Sequence, residues 1–431
     1  MQLPADHPQR YALANEIHAR PYDALEAPER VSYLAVLSGE RAAEHAHLVR
    51  LCERGGVHPP QPAASHFLAD FGNYRVKWER HTEFSGYTFF LRGWAAELFA
   101  ETAVAAVPAD WAAAIPGETL VAAHAELVPR GIALPEGREI ARVFGGNYVV
   151  GAEIGEGVGA VFTDFRIHAD GHNRFLVFDV GMSRRQAGRM VQRLFEIETY
   201  RMMALLALPV ALAAAPRLAE MEEALVEITA AMAGDAGRRA DDHALLERLI
   251  PLAAEAERAV VSSQYRFGAA RAYHSLVNSR IAELRERRLP GTQTIEEFMA
   301  RRLAPAMATC ESIARRQREL AERVARASRL LSTRVDIVRE RQNQELLSSM
   351  ERRARLQLRL QETVEGLSVA AITYYVVGLV GYAAKGLNSV GIALDSDLAM
   401  GVAIPVVAVL VALGVRRVRR SVMEAERAGT G

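Results

Sequence analysis

The chain has 431 residues, enough for two or three units that each bury a core. Its 52 basic and 52 acidic residues leave no formal net charge, and neither half carries the basic excess of a nucleic-acid-binding domain, so nucleic acid is excluded as a partner. The two cysteines, Cys52 and Cys310, are too few for a disulfide framework or a four-thiolate metal site and suit a reducing cytoplasm.

The opening segment, MQLPADHPQRYALANEIHARP, lacks the apolar stretch of a signal peptide, so the N-terminal domain is expected to stay in the cytoplasm. Pro21 drives its predecessor out of the helical region and should end a first helix near His18 and Arg20. A cation there either complements the negative helix end or receives an anion. VSYLAVL at 31–37 predicts a strand, and 41–56 predicts a helix stopped by glycines. Residues 73–91 read as two strands joined near Ser85 and Gly86, followed by strands at 120–127, 147–154, 159–168 and 175–180. Asp170-Gly171 favours a tight hairpin between the last two. The expected fold is α+β, with a mixed or antiparallel sheet and helices forming a cytoplasmic domain over 1–182.

From Ser183 onward the pattern is helical. Ser183 is a predicted N-cap for a helix running to Leu208 and ending near Pro209. The apolar run MMALLALPVALAAAP is short and broken by proline, which makes it a buried helix joint rather than a membrane span. Helices are expected over 218–232 and 240–288, with Pro251 as a break or a start. Thr294 and Glu297 have capping-box spacing and mark the start of the final helix, which Pro305 bends or restarts. The segment from Ala306 to Glu365 contains no Gly or Pro. Its Cys310, Ile313, Leu320, Val324, Ala327, Leu331 and Val338 approach a seven-residue repeat, interrupted by Gln317 and Arg334. A helical, coiled-coil stalk over 183–365 is therefore expected. Its Ala306–Glu365 rod would pack on 240–288, on copies of itself in a homo-oligomer, or on both.

Two uncharged apolar segments follow, 366–384 and 398–415, each close to the ~20 residues that cross a bilayer. Arg352, Arg353, Arg355 and Arg359 precede the first, and Arg416, Arg417, Arg419 and Arg420 follow the second. These flanks suit anionic lipid headgroups and place both chain ends in the cytoplasm by the positive-inside rule, with the 385–397 loop outside and 416–431 as a basic tail. Gly378, Gly381, Ala370 and Ala371 permit close packing of the two spans.

VKWERHTEF, at 76–84, is the densest polar cluster of the globular part. On a strand, Lys77, Glu79, His81 and Glu83 share one face, and Val76, Trp78, Arg80, Thr82 and Phe84 the other. Glu79, His81 and Glu83 could sense a divalent cation, or the face could be a solvated set of cross-strand ion pairs. Lys77 and Lys385 are the only lysines among the 52 basic residues. GAEIGEGVG lacks the Gly-Lys-Ser/Thr of a phosphate loop and reads as a turn. No nucleophile elbow, His-Glu-x-x-His or paired-cysteine metal site is present, so no catalytic residue is assigned and a non-enzyme is expected.

Two resemblances follow from these residues. HPQRYALANEIHARP, KWERHTEF, ETYRMMALLALP and TVEGLSVAAITYYVVGLVGYAAKGL together resemble an uncharacterised family of bacterial membrane-anchored proteins, which implies an inner-membrane anchor and no catalysis. The architecture resembles that of CorA-type divalent-cation channels, whose Gly-Met-Asn motif lies where the first span meets the loop. Gly386-Leu387-Asn388 stands in that place and departs at the middle residue. The resemblance implies a pore mouth at Gly386, Leu387 and Asn388 and a divalent cation, Mg²⁺ or Zn²⁺, as the only cofactor. The expected function is a membrane-anchored, homo-oligomeric cation channel, or alternatively a membrane-tethered scaffolding or regulatory protein that transports nothing.

Overall fold

The computed structural model describes residues 6–16, 22–37, 40–135, 137–233, 242–389 and 395–428. The turn expected at His18 and Arg20 lies outside them. A short helix α1 (Arg10–Glu16) precedes β1 (Glu29–Leu37), α2 (Arg41–Gly55), β2 (His66–Asp70), β3 (Arg75–Arg80) and β4 (Ser85–Arg92). A 3₁₀ turn at Ala103–Ala106 and α3 (Ala109–Ala113) lead to β5 (Glu118–Val128), α4 (Arg138–Val143), β6 (Val150–Ile154), β7 (Gly159–Thr163) and β8 (Asn173–Asp179). Helices α5 (Arg184–Leu205), α6 (Ala207–Ala233) and α7 (Asp242–Leu284) follow, then the two-residue β9 (Arg287–Arg288), α8 (Ile295–Arg302), α9 (Ala304–Ser389) and α10 (Ser396–Ala428).

The strands form one mixed sheet in the order β2-β3-β4-β1-β5-β8-β7-β6-β9. Among the described strand ladders, the central β5–β8 pair is parallel, with His124 beside Arg174, and the others are antiparallel. The fold is therefore α+β. One face of β1, β3 and β4 carries Val36, Val76, Trp78, Tyr87 and Phe89, which pack with Leu48 and Leu51 of α2 and Trp111 of α3. The opposite face is covered by α5, where Tyr33 stacks on Phe195 with ring centroids 5.0 Å apart. β1 is buried almost throughout because both of its faces are covered.

Local signals explain many of the boundaries. Gly56 ends α2 in the left-handed region at φ 66°, where a side chain would be strained. Ser183 and Gln186, like Thr294 and Glu297, form complete capping boxes. The turn at Ile154–Gly159 takes positive φ at Gly155, Glu156 and Gly157, as GAEIGEGVG suggested. The β7–β8 connection spans Asp164–His172, and at its tip the expected tight turn at Asp170-Gly171 forms, with the His168 N–H bonded to the His172 carbonyl and the Gly171 N–H to the His168 carbonyl, both at 2.9 Å, and Gly171 at φ 79°. Helix α5 stops at Leu205 rather than Leu208, and Pro209 sits in the first turn of α6, where its missing N–H is not needed. Pro216 and Pro251 are accommodated within α6 and α7 without ending either helix. The Thr294 box starts the separate short α8, and the long helix α9 begins at Ala304, one residue before Pro305.

The chain divides into two compact units, Met1–Arg329 and Leu330–Gly431, and this division falls within the predicted stalk. In the first unit, the start of α9 packs through Cys310, Ile313, Leu320, Val324 and Ala327, all buried. The polar interruption Gln317 is also buried and accepts a hydrogen bond from Ser263 of α7 at 2.9 Å. Arg316 reaches Glu222 of α6. In the second unit, Leu346, Leu347, Met350, Leu356, Leu358 and Leu360 of α9 are all more than half exposed.

Candidate functional site

The first unit holds a cavity of about 290 Å³ between the α5-facing side of β1, β3 and β4 and helices α5 and α7. β3 supplies Lys77 and Glu79 by alternation, since Val76 and Trp78 point the other way into the α2 core. Lys77 Nζ lies 3.0 Å from Glu79 Oε1 and donates to Gln192 Oε1 of α5 at 3.2 Å. Gln192 in turn donates to Glu196 at 2.8 Å, and Glu196 pairs with Arg280 of α7. Buried charges persist when partners neutralise them, and this run of alternating groups supplies those partners across the cavity wall. The hydroxyls of Tyr33 and Thr199 bond to each other at 3.2 Å, and burial pushes the Tyr33 phenol far up so that it stays neutral. Val31, Leu25, Phe84 and Phe90 make the rest of the lining apolar.

Asp23 completes the cavity from the segment before β1. That segment lies so close over α5 that a Cβ on Gly188 would fall 1.5 Å from the Asp23 carbonyl oxygen. Asp23 Oδ1 lies 3.7 Å from Arg75, while Oδ2 is buried with no hydrogen-bond partner. Burial raises the Asp23 carboxyl above its ordinary range, against the opposing pull of Arg75 and Lys77. An acceptor of this kind is matched by a ligand that brings a hydrogen-bond donor.

The strand predicted through Phe84 ends at Arg80, because His81 N–H bonds to Phe84 C=O at 2.8 Å and closes a turn. The His81 ring stacks on Phe84 at 4.3 Å, and both side chains reach the cavity, so Phe84 lies on the Lys77 side rather than with Trp78. Glu83 points instead to α7, where it bonds to Tyr265 at 2.7 Å and to Arg266 at 3.1 and 3.2 Å. Burial alone would raise the Glu83 carboxyl, but the bonds from Tyr265, Tyr273 and Arg266 outweigh it and hold the group below its usual value. Glu79, His81 and Glu83 are thus placed near one another without converging on a common point. Among the described residues, the His, Cys, Asp and Glu donors close enough to share an ion are His124, Asp170 and His172. Asp23 and the α5 residues Gln192, Glu196 and Thr199 carried no motif in the sequence. The one available signal was the lysine at 77 in a chain that otherwise uses arginine.

Three helices are long and apolar enough to cross a membrane by length and composition, namely Arg184–Ala233, Ile295–Leu387 and Asp397–Val418. The first includes α5, whose Leu194, Ile197, Met203 and Ala204 are buried within the first unit. In the second unit, Gly381 faces Met400 of α10, and a Cβ there would lie 2.6 Å from its sulfur. A Cβ on Gly378 would meet nothing within 4 Å. Gly386 and Leu387 lie in the last turns of α9 and are exposed, and Asn388 is the penultimate residue of that helix. Arg352, Arg353, Arg355, Arg359, Arg416 and Arg417 are all exposed, and the side chains of Arg419 and Arg420 lie outside the described set.

These features define an α+β protein with a mixed nine-stranded sheet, a ligand-sized cavity beside it, and C-terminal helices apolar enough for a membrane. The chain belongs to the family described as "Protein of unknown function (DUF3422)", whose model matches residues 5–422. No curated protein and no solved structure matches the chain.

Proposed function

We propose that the chain is a membrane-tethered regulatory protein whose N-terminal unit binds a small polar ligand. The observation that carries this reading is the cavity: a buried carboxylate oxygen without a partner stands beside ion pairs that the fold has already satisfied. The recognised group on the ligand is a hydrogen-bond donor, an ammonium or a hydroxyl, which Asp23 Oδ2 accepts. The tether is supported by α10, whose most apolar stretch has no residue buried by protein. Aqueous solvent does not stabilise such a surface, and hydrocarbon does. The basic flanks favour the inner membrane with both ends in the cytoplasm.

The test is thermal unfolding of the full chain in detergent against a panel of small amines and polyols. A ligand at a hundred times its Kd stabilises by about 2.7 kcal/mol. The wild type is expected to give a clear rise in Tm with at least one class, and Asp23→Asn to lose that rise. A panel without effect, or an equal rise in both proteins, would sink the reading.

A second reading, a CorA-like cation channel, draws on the continuity of α9 through the first apolar segment to Gly386-Leu387-Asn388 at its end. The exposed leucines of α9 favour the homo-oligomer that such a channel needs. It requires divalent-cation flux into liposomes carrying the purified chain, abolished by Asn388→Ala. Wild-type liposomes as tight as empty ones remove it.

A further inference from the structure

We propose that His124, His172 and Asp170 form a binding site for a divalent transition-metal ion of the zinc class. The site is separate from the cavity. Tyr33 faces α5, so its neighbour Ser32 faces the other side of the sheet, and His124 is the register partner of Ser32 on β5. The parallel pairing of β5 with β8 then brings the Asp170-Gly171-His172 turn, which precedes β8, against His124. The two imidazoles lie 3.9 Å apart, His124 Nε2 is 3.9 Å from Asp170 Oδ2, and the three donor atoms are within 4.8 Å of one another.

Hydrogen bonding sets the tautomer of His172 that a metal needs and is compatible with that of His124. His172 Nδ1 lies 2.8 Å from the Asp170 carbonyl oxygen, which only accepts, so Nδ1 carries the proton and Nε2 keeps its lone pair. That Nε2 is buried and has no hydrogen-bond partner. His124 Nδ1 lies 2.9 Å from Ser32 Oγ, which also accepts the Val104 N–H at 3.0 Å. An oxygen with two lone pairs can accept both, which leaves His124 Nε2 free to ligate.

Imidazole nitrogens with one carboxylate suit zinc and its neighbours rather than Mg²⁺. Three protein donors leave one coordination position open. Asp170 is exposed, so that position is reached from solvent. Loading requires movement. Bonds of about 2.0–2.1 Å in a tetrahedral site hold ligand atoms about 3.3 Å apart, so the donors must close by up to about 1.5 Å. The rings are stacked with 13° between their planes, and one of them must turn for the lone pairs to converge. His172 is the one placed to turn, being half-buried on a loop, whereas His124 is 3 % exposed. Arg174 donates to Asp170 Oδ2 at 3.3 Å, and the ion would take over that oxygen.

The experiment strips the full-length chain in detergent with a chelator, then titrates Zn²⁺ against a chromophoric competitor and records the visible spectrum with Co²⁺. The wild type is expected to bind one tight equivalent with the absorption of a tetrahedral Co²⁺ site. His172→Ala and Asp170→Asn, both at the loop and each checked for a native circular-dichroism spectrum and Tm, should lose that equivalent or bind it at least tenfold more weakly. Two substitutions are used so that a folding defect in one leaves the other decisive. Wild-type affinity retained in either folded variant, or no equivalent bound by the wild type, overturns the assignment.

Discussion

Asp23 and Glu83 are both largely buried carboxylates beside the same sheet, yet the fold shifts them in opposite directions. Glu83 is matched by Arg266, Tyr265 and Tyr273, so its charge is favoured. Asp23 has a bare oxygen and only the distant pull of Arg75 and Lys77, so burial dominates and its charge is disfavoured. For a carboxyl raised in the folded state, the associated stability is fully present below the unfolded value of 3.8 and is lost as pH rises through the folded value. Asp23→Asn removes that loss. The variant is therefore expected to have a higher Tm than the wild type at pH 7, with the gap closing as the pH is taken below 3.8. Melting curves of the full chain across this range check the sign. Greater stability together with lost ligand binding is the pattern of a residue kept for function at some cost to the fold.

At the scale of elements, the parts legible in the sequence are those fixed by neighbours in the chain. The Ser183 and Thr294 capping boxes, the glycine stop of α2 and the division of β3 into a Lys77–Glu79 face and a Val76–Trp78 face are all local. β2 is not legible in the sequence, because His66–Asp70 is an edge strand with Leu68 half exposed and so lacks a clean apolar alternation. Nor is the parallel β5–β8 ladder, since it joins residues about fifty positions apart and follows from packing rather than from any turn. Both candidate sites depend on such long-range placement. Asp23 is held by the crossing over Gly188, and His172 meets His124 only through the parallel pair. The crossing can be tested directly. Gly188→Ala puts a methyl 1.5 Å from a backbone oxygen, a contact that no rotamer change relieves. It is expected to destabilise the first unit by about 1–3 kcal/mol, as overpacking does, and to lose the ligand-induced Tm rise with it. A variant as stable as the wild type by denaturant titration would show that the segment before β1 is not pressed on α5.

For the whole molecule the decisive question is which of the three apolar helices meet lipid, and their burial separates them. Arg184–Ala233 has Leu194, Ile197, Met203 and Ala204 of α5 and Leu218, Met221 and Leu225 of α6 buried within the first unit, with Val210 and Leu212 exposed in its uncharged 202–216 stretch and Val226 exposed among charges. Leu379 of α9 and Val402, Val406, Val409 and Leu410 of α10 are more than half exposed in stretches without any charge to keep them in water. An arginine at the centre of a spanning helix costs about 2.5–3.5 kcal/mol, so Leu379→Arg with Leu410→Arg would cost the hairpin about 6 kcal/mol of insertion free energy. In membranes washed with alkaline carbonate, the wild type is expected to stay in the pellet, and the double variant to move largely to the supernatant or be degraded. Val226→Arg, an equal change of charge on the third apolar helix, should leave the distribution untouched. Release by Val226→Arg, with retention of the double variant, would reverse the assignment and put the membrane contact on α6. Retention of all three proteins would mean that single arginines are tolerated by snorkelling, and a charge about one turn deeper on α10, at Val406, would then decide it.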